Sequence, residues 1–152
     1  MVVAFFGHSF IEESERVFEC IKDAVSKIVD KGECVTFFCG GYGEFDQLCA
    51  SACRLMKKRM PDCRIALVTP YIHESQQKKL CALVKNGEYD EIIYPPIESV
   101  PPRYAIARRN QWMVTGADIV IAYVKHRFGG AHRAMEYAKG KNKQVINLAS
   151  LA

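Results

Sequence analysis

Two glycine-rich turns are the parts of this sequence best suited to bind a ligand. Gly40-Gly41-Tyr42-Gly43 and Gly129-Gly130 each lie between an apolar run and a segment with helical periodicity. Backbone N–H groups at the start of a helix bind phosphate or another anion, because the helix dipole adds to their own polarity. Neither turn has the lysine and hydroxyl residue of a Walker loop or the spacing of a dinucleotide-binding fingerprint. The two turns predict one anion pocket that two helix starts share.

Polar groups also follow other apolar runs. Gly7, His8 and Ser9 come directly after the first run, and His126 comes shortly after the fifth. A glycine lets a ligand approach the backbone closely, while imidazole and hydroxyl groups form hydrogen bonds with it. We therefore expect these loops to contribute to ligand binding.

A predicted helix carries the pair Arg109-Asn110 beside an apolar stripe that includes Met113. Polar side chains beside a buried stripe need partners, and the planar guanidinium group suits phosphate. Asp46 follows the first glycine turn and would repel a phosphate at short range. We expect Arg109 and Asn110 to bind the ligand, and Asp46 either to accept hydrogen bonds from sugar hydroxyls or to cap its own turn.

The elements that must position these loops alternate along the chain. Apolar, β-rich runs predict strands at about residues 2–6, 34–39, 64–69, 91–94, 118–124 and 144–148. Helical periodicity predicts helices at about residues 12–30, 44–60, 76–84, 103–115 and 129–139. Several runs are apolar nearly throughout, as in a parallel sheet that helices cover on both faces. This order predicts an α/β, Rossmann-like three-layer sandwich with a mostly parallel, doubly wound sheet, forming a single domain over residues 1–152. Ligands then bind beyond the carboxyl ends of the strands.

The composition is that of a soluble globular protein. Of its 152 residues 49% are hydrophobic and 25% are charged, and no apolar run approaches the roughly 18 residues of a membrane span. The apolar start has no basic leader, so we expect a cytoplasmic location and no membrane partner.

The seven cysteines form no C-x-x-C pair, which favours packed free thiols, and we expect no metal and no cofactor. The net charge of +4 is mild and suits an anionic small ligand.

Taken in order, the motifs resemble the SLOG superfamily, which groups the Smf/DprA and LOG proteins. Small stand-alone bacterial members of the YpsA-like kind have Gly-His in the first loop, Gly-Gly-x-Gly-x-x-Asp after strand two, Arg-Asn in a late helix and Gly-Gly after the following strand. This chain supplies these motifs as Gly7-His8, Gly40 to Asp46, Arg109-Asn110 and Gly129-Gly130. The resemblance covers nearly the whole chain. It implies a Rossmann-like fold that binds nucleotides or their derivatives, in a protein that forms homo-oligomers.

The LOG members of this superfamily cleave the N-glycosidic bond of nucleoside monophosphates, using an Arg-Lys pair and a Pro-Gly-Gly-x-Gly-Thr-x-x-Glu motif. Arg109 matches the arginine, whereas Asn110 stands in place of the lysine. If Gly130 is the last glycine of the motif, Ala134 occupies the glutamate position and Glu136 lies two residues further on. The chain therefore resembles the phosphate-binding part of the pattern and departs from its catalytic set.

Three functions follow from the sequence, and it leaves open whether the protein is an enzyme. The first is a sensor or binding module for a phosphorylated, nucleotide-derived ligand. The second is a divergent N-glycoside hydrolase, either a nucleoside monophosphate phosphoribohydrolase or a deoxyribosyltransferase-like enzyme, with Asp46, Glu44 or Glu136 as its carboxylate. The third is single-stranded DNA binding, as in the DprA branch. Basic clusters at 57–59, 78–79 and 139–143 lie mostly at helix ends, opposite or beside the loop face, where lysines are normally solvated. The sequence therefore favours a small nucleotide-derived partner over nucleic acid.

Overall fold

The computed structural model describes residues 1–150, the side chain of Ser150 excepted. The strands are β1 (Val2–Gly7), β2 (Thr36–Cys39), β3 (Arg64–Val68), β4 (Glu91–Ile93), β5 (Ile119–Tyr123) and β6 (Gln144–Asn147). The helices are α1 (Ser14–Val29), α2 (Gly43–Arg59), α3 (Glu74–Lys85), α4 (Ala105–Gly116) and α5 (Gly130–Gly140). Short 3-10 turns precede α4 at Pro102–Tyr104 and follow β6 at Leu148–Ser150.

The strands form one sheet in the order β4-β3-β2-β1-β5-β6. Each pair of neighbours is parallel. From β1 the chain builds the sheet outward to β4, then crosses to β5 on the other side of β1. The loops that leave β1 and β5 therefore diverge, and this reversal of strand order is where such sheets form a ligand crevice. The predicted Rossmann-like fold class is confirmed.

Alternate side chains of β1 face opposite helical layers, because successive residues of a strand point to opposite faces of a sheet. Val3 and Phe5 pack in a core with residues of α1 and α2. Ala4 and Phe6 pack in a second core with residues of α4 and α5. Both faces of the central strand are thus buried, as its uninterrupted apolar sequence predicts.

The predicted strands and helices all occur, with ends that differ by a few residues. Leu55 of α2, which its apolar side chain would favour for the core, is 44% exposed. Cys53 is buried instead, because Phe45, Cys49 and Cys53 follow one another at four-residue intervals along the inner face. No helix in the described part of the chain is long and apolar enough to span a membrane.

Candidate ligand-binding site

A cavity of about 690 Å³ lies at the carboxyl edge of the sheet, where the loops after β1, β2 and β5 meet α4. It occupies the crevice expected at the reversal of strand order. Most residues predicted from the sequence line this cavity: Gly7, His8, Ser9, Gly40, Tyr42, Asp46, Arg109, Asn110, His126, Gly129 and Gly130. The predicted residues Gly41, Gly43 and Glu136 lie outside its lining. The structure therefore brings most of the predicted residues to one cavity, and their binding of a ligand stays a prediction.

The start of α5 borders this cavity. Gly129 precedes the helix with a φ of +92°, in the left-handed region that favours glycine. A Cβ atom at Gly129 or Gly130 would meet no atom within 4 Å, so both glycines face open space. Because Gly129 has no side chain, it cannot cap the first N–H groups of the helix. The turn can therefore offer backbone donors and the positive end of a helix dipole to an anion.

The first glycine turn holds two loops together. Gly43 begins α2 with a φ of +85°, and a Cβ atom there would lie 2.6 Å from the Cα atom of Ser9. Beside it, the N–H of Glu44 donates to the carbonyl oxygen of Ser9 at 2.9 Å. The loop after β2 is thus packed against the loop after β1, and Gly40 and Tyr42 are its members that line the cavity.

Asp46 is a buried carboxylate in the cavity wall. It is 8% exposed, and its Oδ2 atom accepts a hydrogen bond from the N–H of Tyr42 at 2.9 Å. Burial raises the pKa of Asp46 to about 7, although the Tyr42 N–H and the charge of Arg109 act in the opposite direction. The carboxyl group therefore changes its charge near neutral pH. It caps its own turn, which is one of the two roles that the sequence predicts.

Arg109 connects the ends of two strands to α4. The residue is 3% exposed, and its Nη1 atom donates to the carbonyl oxygens of Gly40 at 2.9 Å and Val68 at 2.6 Å. Its Nε atom donates to Oδ1 of Asn110 at 2.9 Å. The guanidinium carbon lies 5.5 Å from the centre of the Tyr42 ring, and burial lowers the pKa of Arg109. Sequence reasoning found this residue but missed its protein partners.

His8 lies between the loops after β1 and β5. Its ring centre is 4.9 Å from that of His126 and 6.1 Å from that of Tyr123, to which the His8 ring is nearly perpendicular. Burial lowers the pKa of His8, and the neighbouring His126 and Lys125 lower it further. His8 is therefore neutral near pH 7. Its Nε2 atom accepts the backbone N–H of Lys125 at 2.8 Å, so the ring can offer its Nδ1–H as a donor to a ligand.

Exposed apolar side chains surround the cavity. Phe128 is 72% exposed and Phe10 is 68% exposed, and the exposed side chains of Tyr42 and Ile106 complete the rim. The rings of Phe128 and His126 stack at a distance of 5.2 Å. Flat, exposed rings of this kind can stack on a nucleotide base. Sequence analysis missed Phe10, Phe128 and Ile106, although two of them are aromatic residues beside polar loop motifs.

The candidate carboxylates occupy different environments. Glu136 lies outside the cavity, and its Oε1 atom is 3.6 Å from Nε2 of His132 and 3.6 Å from Nζ of Lys139. Glu44 accepts a hydrogen bond from a backbone N–H in the loop after β1 at 2.9 Å. Of the three predicted candidates, Asp46 is the one in the cavity lining.

Two solved structures share this fold. DNA processing protein A from Streptococcus pneumoniae matches with a TM-score of 0.62 and 13% identity, over 94% of this chain and 48% of that protein. DNA processing protein A from Helicobacter pylori matches with a TM-score of 0.58 and 18% identity, over 95% of this chain and 63% of that protein. The chain thus spans less than two thirds of either protein. These likenesses show that the chain shares the fold of the two proteins, and they do not single out a YpsA-like subgroup. No protein-family model and no curated protein matches the chain.

The expectation that disfavoured nucleic acid as a partner is wrong. The Helicobacter pylori protein, which shares this fold over nearly the whole chain, has a described single-stranded DNA binding mode. That expectation rested on basic clusters at helix ends. Two of their residues form ion pairs within the chain, Lys57 with Asp90 and Arg59 with Asp30. It left out the cations and exposed aromatic rings in the loops at the strand ends. Proteins bind single-stranded nucleic acid with groups of these kinds.

Proposed function

We propose that the cavity binds a phosphorylated nucleotide, with the phosphate at the start of α5 and the base against the apolar rim. The observation that carries this proposal is the Gly129-Gly130 turn, where an uncapped helix start borders a cavity of about 690 Å³. Small-molecule sites have volumes of roughly 300–1,000 Å³. Backbone donors at a helix start hold a phosphate without help from a side chain.

The positions of Lys125 and Asp46 in the lining favour one orientation of the nucleotide, with Glu12 a second lining carboxylate that partly offsets the charge of Lys125. Lys125 and His126 follow β5 and precede α5, so they lie on the side of the proposed phosphate position. Asp46 belongs to the first turn of α2, which follows β2 on the other side of β1. A carboxylate repels phosphate but accepts hydrogen bonds from sugar hydroxyls. We therefore place the phosphate near Lys125 and the sugar towards Asp46.

Calorimetric titration with the four common nucleoside 5′-monophosphates tests the proposal. We expect at least one to bind, and Gly130→Val to weaken that binding by about tenfold or more, because the added side chain would occupy the phosphate position. Gly140→Val is the matched control, since a Cβ atom at either glycine meets nothing within 4 Å and Gly140 lies at the far end of α5. Both variants should keep the melting temperature of the unmodified chain.

The matching nucleosides, which have no phosphate, complete this experiment. We expect them to bind much more weakly than the monophosphates. Equal affinity for nucleoside and monophosphate would contradict the phosphate site, and so would equal weakening by Gly130→Val and Gly140→Val.

Single-stranded DNA is a second candidate partner, because the similar protein from Helicobacter pylori has a single-stranded DNA binding mode. The cations Lys125 and Arg127 and the exposed rings of Phe10 and Phe128 supply the backbone and base contacts that such binding needs. Anisotropy of a labelled oligothymidylate tests this candidate. Two results together would support a bound strand. The affinity should fall steeply as salt is added, and Phe128→Ala should lower the affinity further. Absence of binding at low salt would contradict it.

Three finer predictions from the resemblance form part of the same proposal. We propose that the chain is a YpsA-like member of the SLOG superfamily, that it acts in the cytoplasm of a bacterium, and that it forms homo-oligomers. Light scattering on the purified protein tests the last of these, and a monomer at all concentrations would contradict it.

A further inference from the structure

A second cavity, of about 510 Å³, adjoins the first one across the loop between β5 and α5 and extends along α5 to Lys139. Lys125 and His126 line both cavities, so the loop after β5 forms the wall between them. The other polar side chains of the second cavity are those of Arg127, His132, Glu136 and Lys139. Neither the fold nor the proposed nucleotide site accounts for this group of residues.

The charges of the second cavity favour an anion. Lys125, Arg127 and Lys139 are cationic, and Glu136 is the carboxylate in its lining. Glu136 lies 3.6 Å from both Lys139 and His132, so its charge is already partly compensated. Arg127 is exposed and forms no ion pair within residues 1–150. A concave surface with this balance attracts negatively charged ligand groups.

We infer that the second cavity binds a second phosphate, and that the ligand carries two phosphates separated by one nucleoside. This inference rests on the proposed nucleotide site in the first cavity. The two phosphates of a pyrophosphate share an oxygen atom, so both would stay in one cavity. The nucleotide whose phosphate lies at the start of α5 keeps its sugar towards Asp46. The nucleoside on the other side of that phosphate lets the ligand cross the wall formed by Lys125 and His126 and carries the second phosphate. The stacked rings of His126 and Phe128 at this wall offer a surface for the base of that nucleoside.

A 5′-phosphorylated dinucleotide carries two phosphates separated by one nucleoside. It can be a free molecule or the 5′ end of a single strand. The test compares it with the nucleoside 5′-monophosphate that binds best, built with the same base. We expect the dinucleotide to bind about tenfold more tightly, because a charge-assisted contact to the second phosphate is added. Arg127→Ala should remove most of that advantage and leave the affinity for the monophosphate unchanged. Lys141→Ala, which removes a positive charge outside both cavities, is the control and should preserve the advantage.

A phosphorylated octanucleotide identifies the source of the ligand. Affinity equal to or above that of the dinucleotide supports the end of a single strand, and weaker affinity supports a free dinucleotide. Equal affinities of monophosphate and dinucleotide would overturn the second phosphate site and leave the first intact. An equal effect of Arg127→Ala on both ligands would overturn it as well. If no monophosphate binds, the proposed function fails, and this inference fails with it.

Discussion

His8 and Lys125 are joined by a hydrogen bond in which the Nε2 atom of His8 accepts the backbone N–H of Lys125 at 2.8 Å. The bond connects the loops after β1 and β5, the neighbouring strands at which strand order reverses. It requires a neutral ring, because a protonated imidazole has no acceptor nitrogen. The lowered pKa of His8, caused first by burial, keeps the ring in that form.

We expect His8→Ala to reduce the free energy of unfolding more at about pH 7.5 than at about pH 5.5. The pKa of His8 is lower in the folded chain than its ordinary value near 6.5, so the unfolded chain takes up the proton first as the pH falls. The stabilising contribution is therefore present above pH ~6.5 and is lost as the pH falls through the folded-state pKa. Urea unfolding at the two pH values measures the difference.

The control for this experiment is Gln77→Ala, which removes an exposed side chain without a titratable group. It should change the free energy of unfolding by the same amount at both pH values. An equal effect of His8→Ala at the two pH values would contradict the requirement for a neutral His8 ring in the His8–Lys125 bond.

Asp46 should give the opposite pH dependence. Its pKa rises from 3.8 to about 7 on folding, so between these values the folded chain binds more protons than the unfolded chain. The free energy of unfolding then falls as the pH rises through this window, by up to about 1.4 kcal/mol per pH unit. Asp46→Asn removes this dependence. Relative to that of the unmodified chain, the free energy of unfolding of the variant should therefore be higher at about pH 8 than at about pH 5. Exposed Asp62→Asn is the control, and an unchanged pH profile in Asp46→Asn would contradict the buried ionisation.

We expect Arg109→Lys to destabilise the fold. Lysine lacks the fork that lets Arg109 bond the carbonyl oxygens of Gly40 and Val68 together with Asn110. A hydrogen bond from a charged group contributes roughly 1.5–3 kcal/mol, and a loss of about 2 kcal/mol lowers the melting temperature of a domain of this size by roughly 4–8 °C. Scanning calorimetry measures the change. Arg108→Lys, at the exposed neighbouring position, should leave the melting temperature unchanged.

The sequence predicts the fold, and it predicts that the candidate residues lie at one edge of the sheet, because both depend on local patterns. An apolar run such as Ile119–Tyr123 can be buried along its whole length in a parallel sheet, and the carboxyl ends of such strands meet at one edge. The partners of Arg109 could not be predicted in this way. Gly40 and Val68 are 69 and 41 residues away in sequence, and they meet Arg109 only because α4 packs across the ends of β2 and β3. The raised pKa of Asp46 likewise depends on burial by distant segments.

We expect the protein to bind nucleoside monophosphates without cleaving their N-glycosidic bond. Glycoside cleavage passes through a cation-like sugar that a positioned carboxylate stabilises, and loss of acid–base help alone typically costs about 10²–10⁴ in rate. If Gly130 is the last glycine of the LOG pattern, Ala134 occupies its glutamate position. The carboxylate of Asp46 is already bonded to the N–H of Tyr42. Chromatography of free base, after incubation with a panel of monophosphates, measures turnover. Cleavage that disappears in Asp46→Asn and persists in Asp62→Asn would make Asp46 the catalytic carboxylate and refute the binding module. Cleavage lost only in Glu136→Gln would instead shift the catalytic glutamate of the LOG pattern to Glu136, at the boundary of the second cavity.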